Sequence, residues 1–464
     1  MKKTFSTIKH VFDIKVRLHE KKCLILHNFF FYVMISTRKG LLALSPIIVF
    51  LILYLAVSIA VNDFYKMPIS VSFIIASIWS IITSSTHEPL KEKLNIFSKG
   101  AANPDILYMI WIFILAGAFA SLAKETGAID ATVNFTLQIL PPQFIIPGIF
   151  IASCFISLSI GTSVGTIVSL TPFALQLAES TGQNIPFFVA AVIGGSFFGD
   201  NLSFISDTTI AATRSQGCKM NDKFKANLVI AIPAAILVLI IYVLIGQADT
   251  YATIAPSPAS PFLVIPYLII IGLAIAGINV IVVLTTGIIA SIITALCFTD
   301  IHLADMCSYM GNGINDMGNL IVVTLLAAGM LAMIKHHGGI DFLMNWLTRH
   351  INGKRGAQST IAILVSIVNL CTANNTIAII TVGELSRKIS EKYNLEPRKV
   401  AGTLDTCSCI VQCLIPYGAQ VLLAAGLAKV SPVAFFPYLY YAWALAAMVI
   451  LSIVFQFPKS KRSK

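Results

Sequence analysis

Leu115-Ala-Gly-Ala-Phe-Ala-Ser-Leu-Ala-Lys124-Glu-Thr-Gly127-Ala-Ile-Asp130 matches Leu326-Ala-Ala-Gly-Met-Leu-Ala-Met-Ile-Lys335-His-His-Gly338-Gly-Ile-Asp341 at an offset of 211 residues. The register persists downstream. Asn134 meets Asn345, Val189-Ala190 meets Val400-Ala401, and Thr162 and Thr166 meet Thr372 and Thr376 at an offset of 210. A repeat of this length within apolar sequence points to a chain built from two copies of one helical unit.

The surrounding composition identifies the medium. Of 464 residues, 57% are hydrophobic and 11% charged, against roughly 45–50% and 25% in soluble domains. Apolar runs of about 18 to 25 residues recur from Leu41 to Phe457, and each is long enough to cross a hydrocarbon core of about 30 Å as a helix. Outer-membrane barrels are excluded, because their strands are about ten residues long and alternate in polarity. The fold class is therefore an all-α polytopic membrane protein with the lipid bilayer as its solvent. Ten crossings are predicted, over 41–61, 69–86, 106–123, 187–206, 226–246, 262–277, 280–298, 317–334, 400–428 and 432–456. Two further stretches, 144–180 and 357–392, are broken by Gly161-Thr-Ser-Val-Gly-Thr166 and Thr372-Ala-Asn-Asn-Thr376, and read as re-entrant hairpins.

The net charge of +11 lies almost wholly in short segments between apolar runs, so lipid topology accounts for it and no nucleic-acid partner is expected. With both termini cytoplasmic, the basic groups Lys91/Lys93/Lys99, Arg214/Lys219/Lys223/Lys225, Arg349/Lys354/Arg355, Arg387/Lys388/Lys392/Arg398/Lys399 and Lys459/Lys461/Arg462/Lys464 all fall inside. Only Lys66, Lys124 and Lys429 fall outside, as the positive-inside rule favours. Reading either hairpin as a simple crossing places one of these clusters outside. In this topology the first copy of the repeat begins inside and the second outside, which makes them inverted repeats.

The chain divides into a basic cytoplasmic extension (1–40), scaffold helices (41–105), a first transport-domain repeat (106–225, with hairpin 144–180), further scaffold helices (226–298), an outer loop (299–316), a second transport-domain repeat (317–430, with hairpin 357–392), and a last helix with a basic cytoplasmic tail (431–464). No signal peptide is read at the amino terminus. Met34 would itself make a good start, and the sequence leaves open whether 1–33 are translated. The nine cysteines show no C-x-x-C pair and read as small packing residues.

Inverted repeats with helices broken at membrane depth suit a secondary transporter, since one unit in two orientations gives two states of similar energy. Unwound backbone there can hold a solute. The hairpin tips are the first candidates: Thr162, Ser163 and Thr166 in one copy, Asn374, Asn375 and Thr376 in the other. Their oxygen-only donors suit a hard cation such as Na⁺. Close helix packing is the competing explanation for small polar residues there. The second candidate is Gly199-Asp200-Asn201-Leu-Ser203-Phe-Ile-Ser206-Asp207-Thr208-Thr209, where two carboxylates stand in apolar sequence. A carboxylate deep in a bilayer costs about 2.5–3.5 kcal/mol on insertion scales and marks an ion path or a paired site. Asp200 and Asp207 would share one face if the segment stayed helical, while Asp207 would be an ordinary cap if the helix ends there. In the partner segment Asp405 is either a site residue or a salt-bridge partner of Arg398-Lys399, and Gln412 and Tyr417 are weaker candidates. Glu384 reads as structural, paired with Arg387 or Lys388.

Gly161-Thr-Ser163-Val-Gly165 fits the G-x-S-x-G pattern of hydrolases, but every histidine lies outside the predicted spans and no strand-to-helix elbow is expected. No H-E-x-x-H, Walker A loop or dinucleotide fingerprint occurs. The chain therefore reads as no enzyme and as needing no cofactor.

Gly199-Asp-Asn-Leu-Ser-Phe-Ile-Ser-Asp-Thr-Thr209 resembles the GD-x-x-S-x-x-SDTT signature of the NhaC family of Na⁺/H⁺ antiporters. Leu404-Asp-Thr-Cys-Ser-Cys with Leu414-Ile-Pro-Tyr-Gly418 resembles the second signature, and Gly40-Leu-Leu-Ala-Leu-Ser-Pro46 the usual start. The second signature departs where relatives often carry Glu-Asp-Ser and Pro-Trp. The resemblance, over about 38–457, implies an ion-transporter superfamily fold with scaffold and transport domains, an elevator-like shift, a homodimer in the cell membrane, and Na⁺/H⁺ exchange. The family also contains organic-acid and amino-acid exchangers, so a malate- or lactate-like exchanger is the alternative. A channel or a membrane-embedded enzyme fits less well, the first because paired inverted repeats with carboxylates are not needed for it, the second because no reactive set is present.

Overall fold

In a bilayer no water meets the backbone, so apolar runs become helices that satisfy their own amides and carbonyls. The computed structural model describes residues 37–60, 68–84, 88–139, 141–203, 206–248, 260–348 and 351–457, and among these it is helical with no strand. The expectations for 1–33 and for the basic tail at 458–464 lie outside the described residues.

The first half carries Thr37–Ala60 (α1), Ile69–Thr83 (α2), Leu90–Ala101 (α3), Pro104–Glu125 (α4), Ala128–Ile139 (α5), Ile145–Ile160 (α6), Ser163–Thr181 (α7), Ile185–Leu202 (α8), Asp207–Gln216 (α9) and Met220–Ala248 (α10). The second half repeats that order with Ile265–Ile275 (α11), Val280–Phe298 (α12), Leu303–Asp316 (α13), Gly318–His336 (α14), Gly339–Leu347 (α15), Gly353–Thr372 (α16), Asn375–Lys392 (α17), Pro397–Leu414 (α18), Ala419–Ala428 (α19) and Tyr440–Phe455 (α20). The repeat thus spans the described chain, well beyond the segments whose side chains match. Packing is reciprocal: α4 lies on α13 as α14 lies on α3, α7 on α19 as α17 on α9, and α1 on α2 as α11 on α12. Such reciprocity is what a two-fold relation between copies produces. The halves are inverted repeats.

Each of the ten expected crossings contains a helix among the described residues. Among the described residues, six helical segments, counting Ile185–Gln216, Leu303–His336 and Pro397–Ala428 as one each, are long and apolar enough to cross a membrane, or seven if the bent pair Pro432–Tyr438 and Tyr440–Phe455 counts as one span. The shortfall lies in short helices such as α2, of 15 residues, and α11, of 11, below the ~20 that a full crossing needs. Of the apolar window in Ile185–Gln216, 94% is buried, against 33% in Met220–Ile245. The broken span is therefore central and α10 peripheral. Peripheral helices turn stripes such as Ile74/Ile78/Ile82 and Ile236/Ile240/Leu244 outward, the i, i+4 spacing of a lipid-facing side.

Two helices depart from the sequence reading. The stretch 299–316, expected as an outer loop, is mostly α13, and the basic segment Lys91/Lys93/Lys99 lies in α3. Both mix polar and apolar residues too evenly for hydropathy to register. Small residues let them pack backbone to backbone: a Cβ on Gly313 would strike the Gly117 carbonyl, one on Gly117 would strike Gly313, and Gly100 sits likewise on Ala328 and Ala332. Gly313→Ala is accordingly expected to destabilise the protein by about 1–3 kcal/mol, the usual cost of overpacking. A melting temperature in detergent equal to that of the parent would contradict this close crossing.

Candidate ion site

Each hairpin turns at one left-handed residue. α6 stops at Gly161 (φ 74°, ψ 19°), and extended Thr162 precedes α7. α16 stops at Ala373 (φ 49°), and Asn374, whose Oδ1 accepts from the Ile377 N–H at 3.0 Å, caps α17. The tips therefore align at an offset of 212, Gly161 with Ala373, Thr162 with Asn374 and Ser163 with Asn375. The threonine match at 210 is superseded, because the backbone reversal sets the register. The left-handed region costs a non-glycine residue about 1–2 kcal/mol, partly offset by the flexibility glycine brings to the unfolded chain. Ala373→Gly should thus be neutral or stabilising by up to about 1 kcal/mol; a lowered melting temperature would contradict strain at this tip.

The central helices break in the same register. α8 ends with Ser203 extended and α9 begins after Ser206, while α18 ends at Ile415 and α19 begins after extended Gly418. Asp200 and Asp207 consequently do not share a helical face, since the chain leaves the helix between them. Asp200 pairs with Gln412 across the repeat, and Thr208 with Gln420.

The four breaks meet. Asp200 accepts the Ser163 N–H at 2.9 Å and the Ser163 hydroxyl at 2.5 Å, so its carboxylate caps α7. Ser163 Oγ accepts from Gln420 Nε2 at 3.2 Å. Gln412 Nε2 donates to Gln420 Oε1 at 2.8 Å and to the Ala373 carbonyl at 3.0 Å. One chain of hydrogen bonds thereby runs from the first tip, through both broken helices, to the second tip. A cavity of about 710 Å³ opens beside it, lined by Thr162, Ser163, Asp200, Ser206, Asp207, Thr208, Asn374, Asn375 and Thr376 among the expected residues. Asp207 is exposed to this space, and none of the ion pairs among the described residues involves it. Asp200 is only 4% exposed. Of the two carboxylates flanking the first break, Asp207 is the freely presented one; Asp105, at the start of α4, is the other exposed carboxylate on the cavity lining.

Asn201, Ser203, Thr166 and Asp405 lie behind the cavity wall. Ser203 Oγ donates to the Leu158 carbonyl at 3.1 Å and Thr166 Oγ1 to the Thr162 carbonyl at 3.3 Å. Asn201 Oδ1 accepts from Asn227 Nδ2 at 2.5 Å and from the Thr406 hydroxyl at 3.1 Å. Asp405, fully buried, is ion-paired with Lys223. That corrects two readings. Arg398 pairs with Glu396 at 2.7 Å, and Lys399 Nζ lies 3.4 Å from the Gln456 carbonyl, so neither holds Asp405. Lys223, counted among cytoplasmic topology charges, is 1% exposed. Its ammonium donates also to the Asn201 carbonyl at 2.6 Å and to Thr209 Oγ1 at 2.7 Å, using all three protons. The partner that fits Glu384 is Lys388, at 2.8 Å on an exposed surface.

Residues the sequence reading passed over also line the cavity: Gln420, Asn103, Asp105, Tyr108, Asn279 and Lys335. A signal for Lys223 was available, since Lys223 and Asn227 stand four apart on one face of an apolar helix. The eight described cysteines form no disulfide. Cys409 Sγ approaches Asp405 Oδ1 at 3.8 Å, a weak donor on the buried carboxylate.

Two inverted repeats whose hairpin tips and broken central helices converge on one polar cavity define a secondary transporter. The family model described as the Na⁺/H⁺ antiporter family matches residues 16–247 and 250–457. The chain belongs to the Na⁺/H⁺ antiporter family and is a multi-pass membrane protein. It is 23% identical over 378 residues to the Na⁺/H⁺ antiporter NhaC of Alkalihalophilus pseudofirmus, covering 74% of this chain and 80% of that one. It is 20% identical over 443 residues to the malate-2H⁺/Na⁺-lactate antiporter of Bacillus subtilis, covering 88% and 94%. The solved Alcanivorax borkumensis YdaH transporter aligns with 79% of this chain and 88% of its own, at a TM-score of 0.40 and 15% identity.

Proposed function

We propose that this antiporter exchanges cytoplasmic Na⁺ for H⁺ by alternating access, with the Asp207 carboxylate holding either ion but not both. The observation that carries this reading is that Asp207 is exposed to the cavity at the break between α8 and α9, while Asp200 is engaged by Ser163 and Asp405 by Lys223. Hydroxyl and amide oxygens of Ser206, Thr208, Thr162 and Asn374 complete a hard-cation environment. An empty charged site is costly to carry across the membrane, so reorientation requires an ion and the two fluxes are coupled. Asp200 lines the same cavity while it caps α7, and Asn201 and Asp405 shape the site from behind.

The cavity is one-sided. It is lined by Lys335 and the turn at Gly277, Ile278 and Asn279, whereas Lys124, the repeat partner of Lys335, lies 3.7 Å from Glu179 and is not part of the lining. Exchanging the conformations of the two repeats gives the opposite-facing state. With both termini cytoplasmic, as the positive-inside pattern favours, the present opening faces the cytoplasm. The unit of function is a homodimer in the cell membrane, supported by the resemblance to NhaC antiporters; 106–225 and 317–430 form its transport part, and no cofactor takes part.

A second reading rests on the cavity's size. A volume near 710 Å³ is that of a small-molecule site rather than of one cation, and Lys335 with Gln412, Gln420 and Asn375 could orient an organic carboxylate. The test is proton movement in proteoliposomes on addition of Na⁺, Li⁺ or K⁺, set beside uptake of labelled malate, lactate and amino acids. A Na⁺-evoked pH change without any organic solute supports Na⁺/H⁺ exchange; labelled-acid exchange with no Na⁺-evoked change replaces it with the second reading.

A further inference from the structure

We infer that Glu88, His336 and His337 form a binding site for a divalent transition-metal ion of the zinc class, separate from the transport cavity. One ligand atom from each lies within 4.8 Å of the other two. His336 Nε2 is 3.2 Å from Glu88 Oε1, and His337 Nε2 is 4.0 Å from Glu88 Oε2. Around a tetrahedral ion with bonds of about 2.0–2.2 Å, neighbouring donors sit roughly 3.3–3.6 Å apart; the His336 contact is close to that separation, and the His337 contact, to the other carboxylate oxygen, is longer. The ligand atoms turned inward have nothing else to bind: Glu88 Oε2 and His337 Nε2 are both buried without a hydrogen-bond partner. Two imidazoles and one carboxylate suit zinc, cobalt or nickel and not Na⁺, Mg²⁺ or Ca²⁺, which take oxygen ligands.

The helix end favours a cation. His336 ends α14 and His337 caps it, where the carbonyl end of the helix carries partial negative charge. The nearby Lys93 ammonium is held elsewhere, by the Ile81 and Ser84 carbonyls at 3.3 and 3.4 Å. His336 is 46% exposed, which leaves an entry path and room for water as the fourth ligand. The site joins the copies, since Glu88 precedes α3 in the first repeat and the histidines close α14 in the second. It belongs to one side of the molecule alone, because Glu125 and Thr126 occupy the positions of the two histidines in the first repeat. None of the three residues lines the transport cavity.

The purified full chain in detergent, freed of any affinity tag, is titrated with Co²⁺ and then with Zn²⁺. One equivalent of Co²⁺ is expected to give the intense visible absorption of a tetrahedral centre, which Zn²⁺ displaces. Glu88→Gln and His337→Ala should each weaken binding by at least about 100-fold, since even losing a supporting outer partner of a ligand costs about 10–100-fold. Asp207→Asn should leave binding unchanged. Zn²⁺ should also raise the melting temperature of the parent and not of Glu88→Gln, because a ligand of the folded state stabilises it. Absence of a tetrahedral Co²⁺ spectrum, or binding that survives both substitutions, would overturn the assignment.

Discussion

Asp207→Asn is expected to reduce Na⁺-evoked proton movement in proteoliposomes to the level of protein-free vesicles, while the protein folds and melts as the parent does. The asparagine keeps the shape and one carbonyl oxygen but neither binds a proton near neutral pH nor supplies a negative charge to Na⁺. Both halves of the exchange then lack their carrier. The side chain is exposed to the cavity, so its neutralisation leaves no buried group unpaired and stability should move by less than about 0.5 kcal/mol. Asp200→Asn differs in kind. That carboxylate accepts two hydrogen bonds from Ser163, and its loss loosens the first hairpin tip, so activity and melting temperature should fall together. Full exchange in Asp207→Asn would move the carrier role to Asp200.

Lys223→Met is expected to be the most destabilising single change among the polar residues around the site. It leaves Asp405, fully buried, without its counter-ion, and breaking one side of a buried pair costs about 3–5 kcal/mol. It also deprives the Asn201 carbonyl and Thr209 hydroxyl of their donor, which loosens the crossing of α8, α9 and α10 with α18. The double variant Lys223→Met with Asp405→Leu should recover most of that loss, because replacing both partners with apolar side chains is often near neutral. The check is thermal unfolding in detergent for the two single variants and the double. Equal melting temperatures for parent and Lys223→Met would mean that Asp405 is not dependent on this ion pair. A double variant that is stable and still exchanges would place Lys223 and Asp405 outside the ion path, as their position behind the cavity wall suggests.

Hydropathy and the repeated segment around Lys124 and Lys335 carried the architecture, because a bilayer forces apolar runs into helices and an inverted copy repeats its sequence marks. The hairpins were legible for the same reason: Thr162, Ser163, Asn374 and Asn375 interrupt runs that otherwise read as crossings. Helices α3 and α13 were not legible, since about half of each is polar and their close contacts with a neighbouring helix are made by small residues such as Gly100 and Gly313 rather than by a long apolar stripe. The tip register slipped by two because a threonine match outweighed a left-handed residue, and Ala373 gives no hint in sequence that its backbone is left-handed. Asp207 stood out in sequence as a carboxylate in apolar surroundings and through its motif. Lys223 was missed because a charge count for topology treats every lysine alike, whereas what sets Lys223 apart is Asp405, brought beside it only when α10 packs on α18. Gln412, a weaker candidate in sequence, and Gln420, which drew no reading, carry no charge; their role as links between Ser163 and Ala373 emerges only from the packing.

The central claim is that Na⁺ and H⁺ compete for one carboxylate. The most direct test is equilibrium binding of radiolabelled Na⁺ to the purified protein across a pH series, without a membrane or gradient. Competition requires the apparent Kd to rise by about tenfold for each unit that pH falls below the carboxylate's own pKa, and requires Asp207→Asn to bind no Na⁺ at any pH. An affinity that stays constant as pH falls through the range in which exchange stops, or Na⁺ binding that persists in Asp207→Asn, would contradict it.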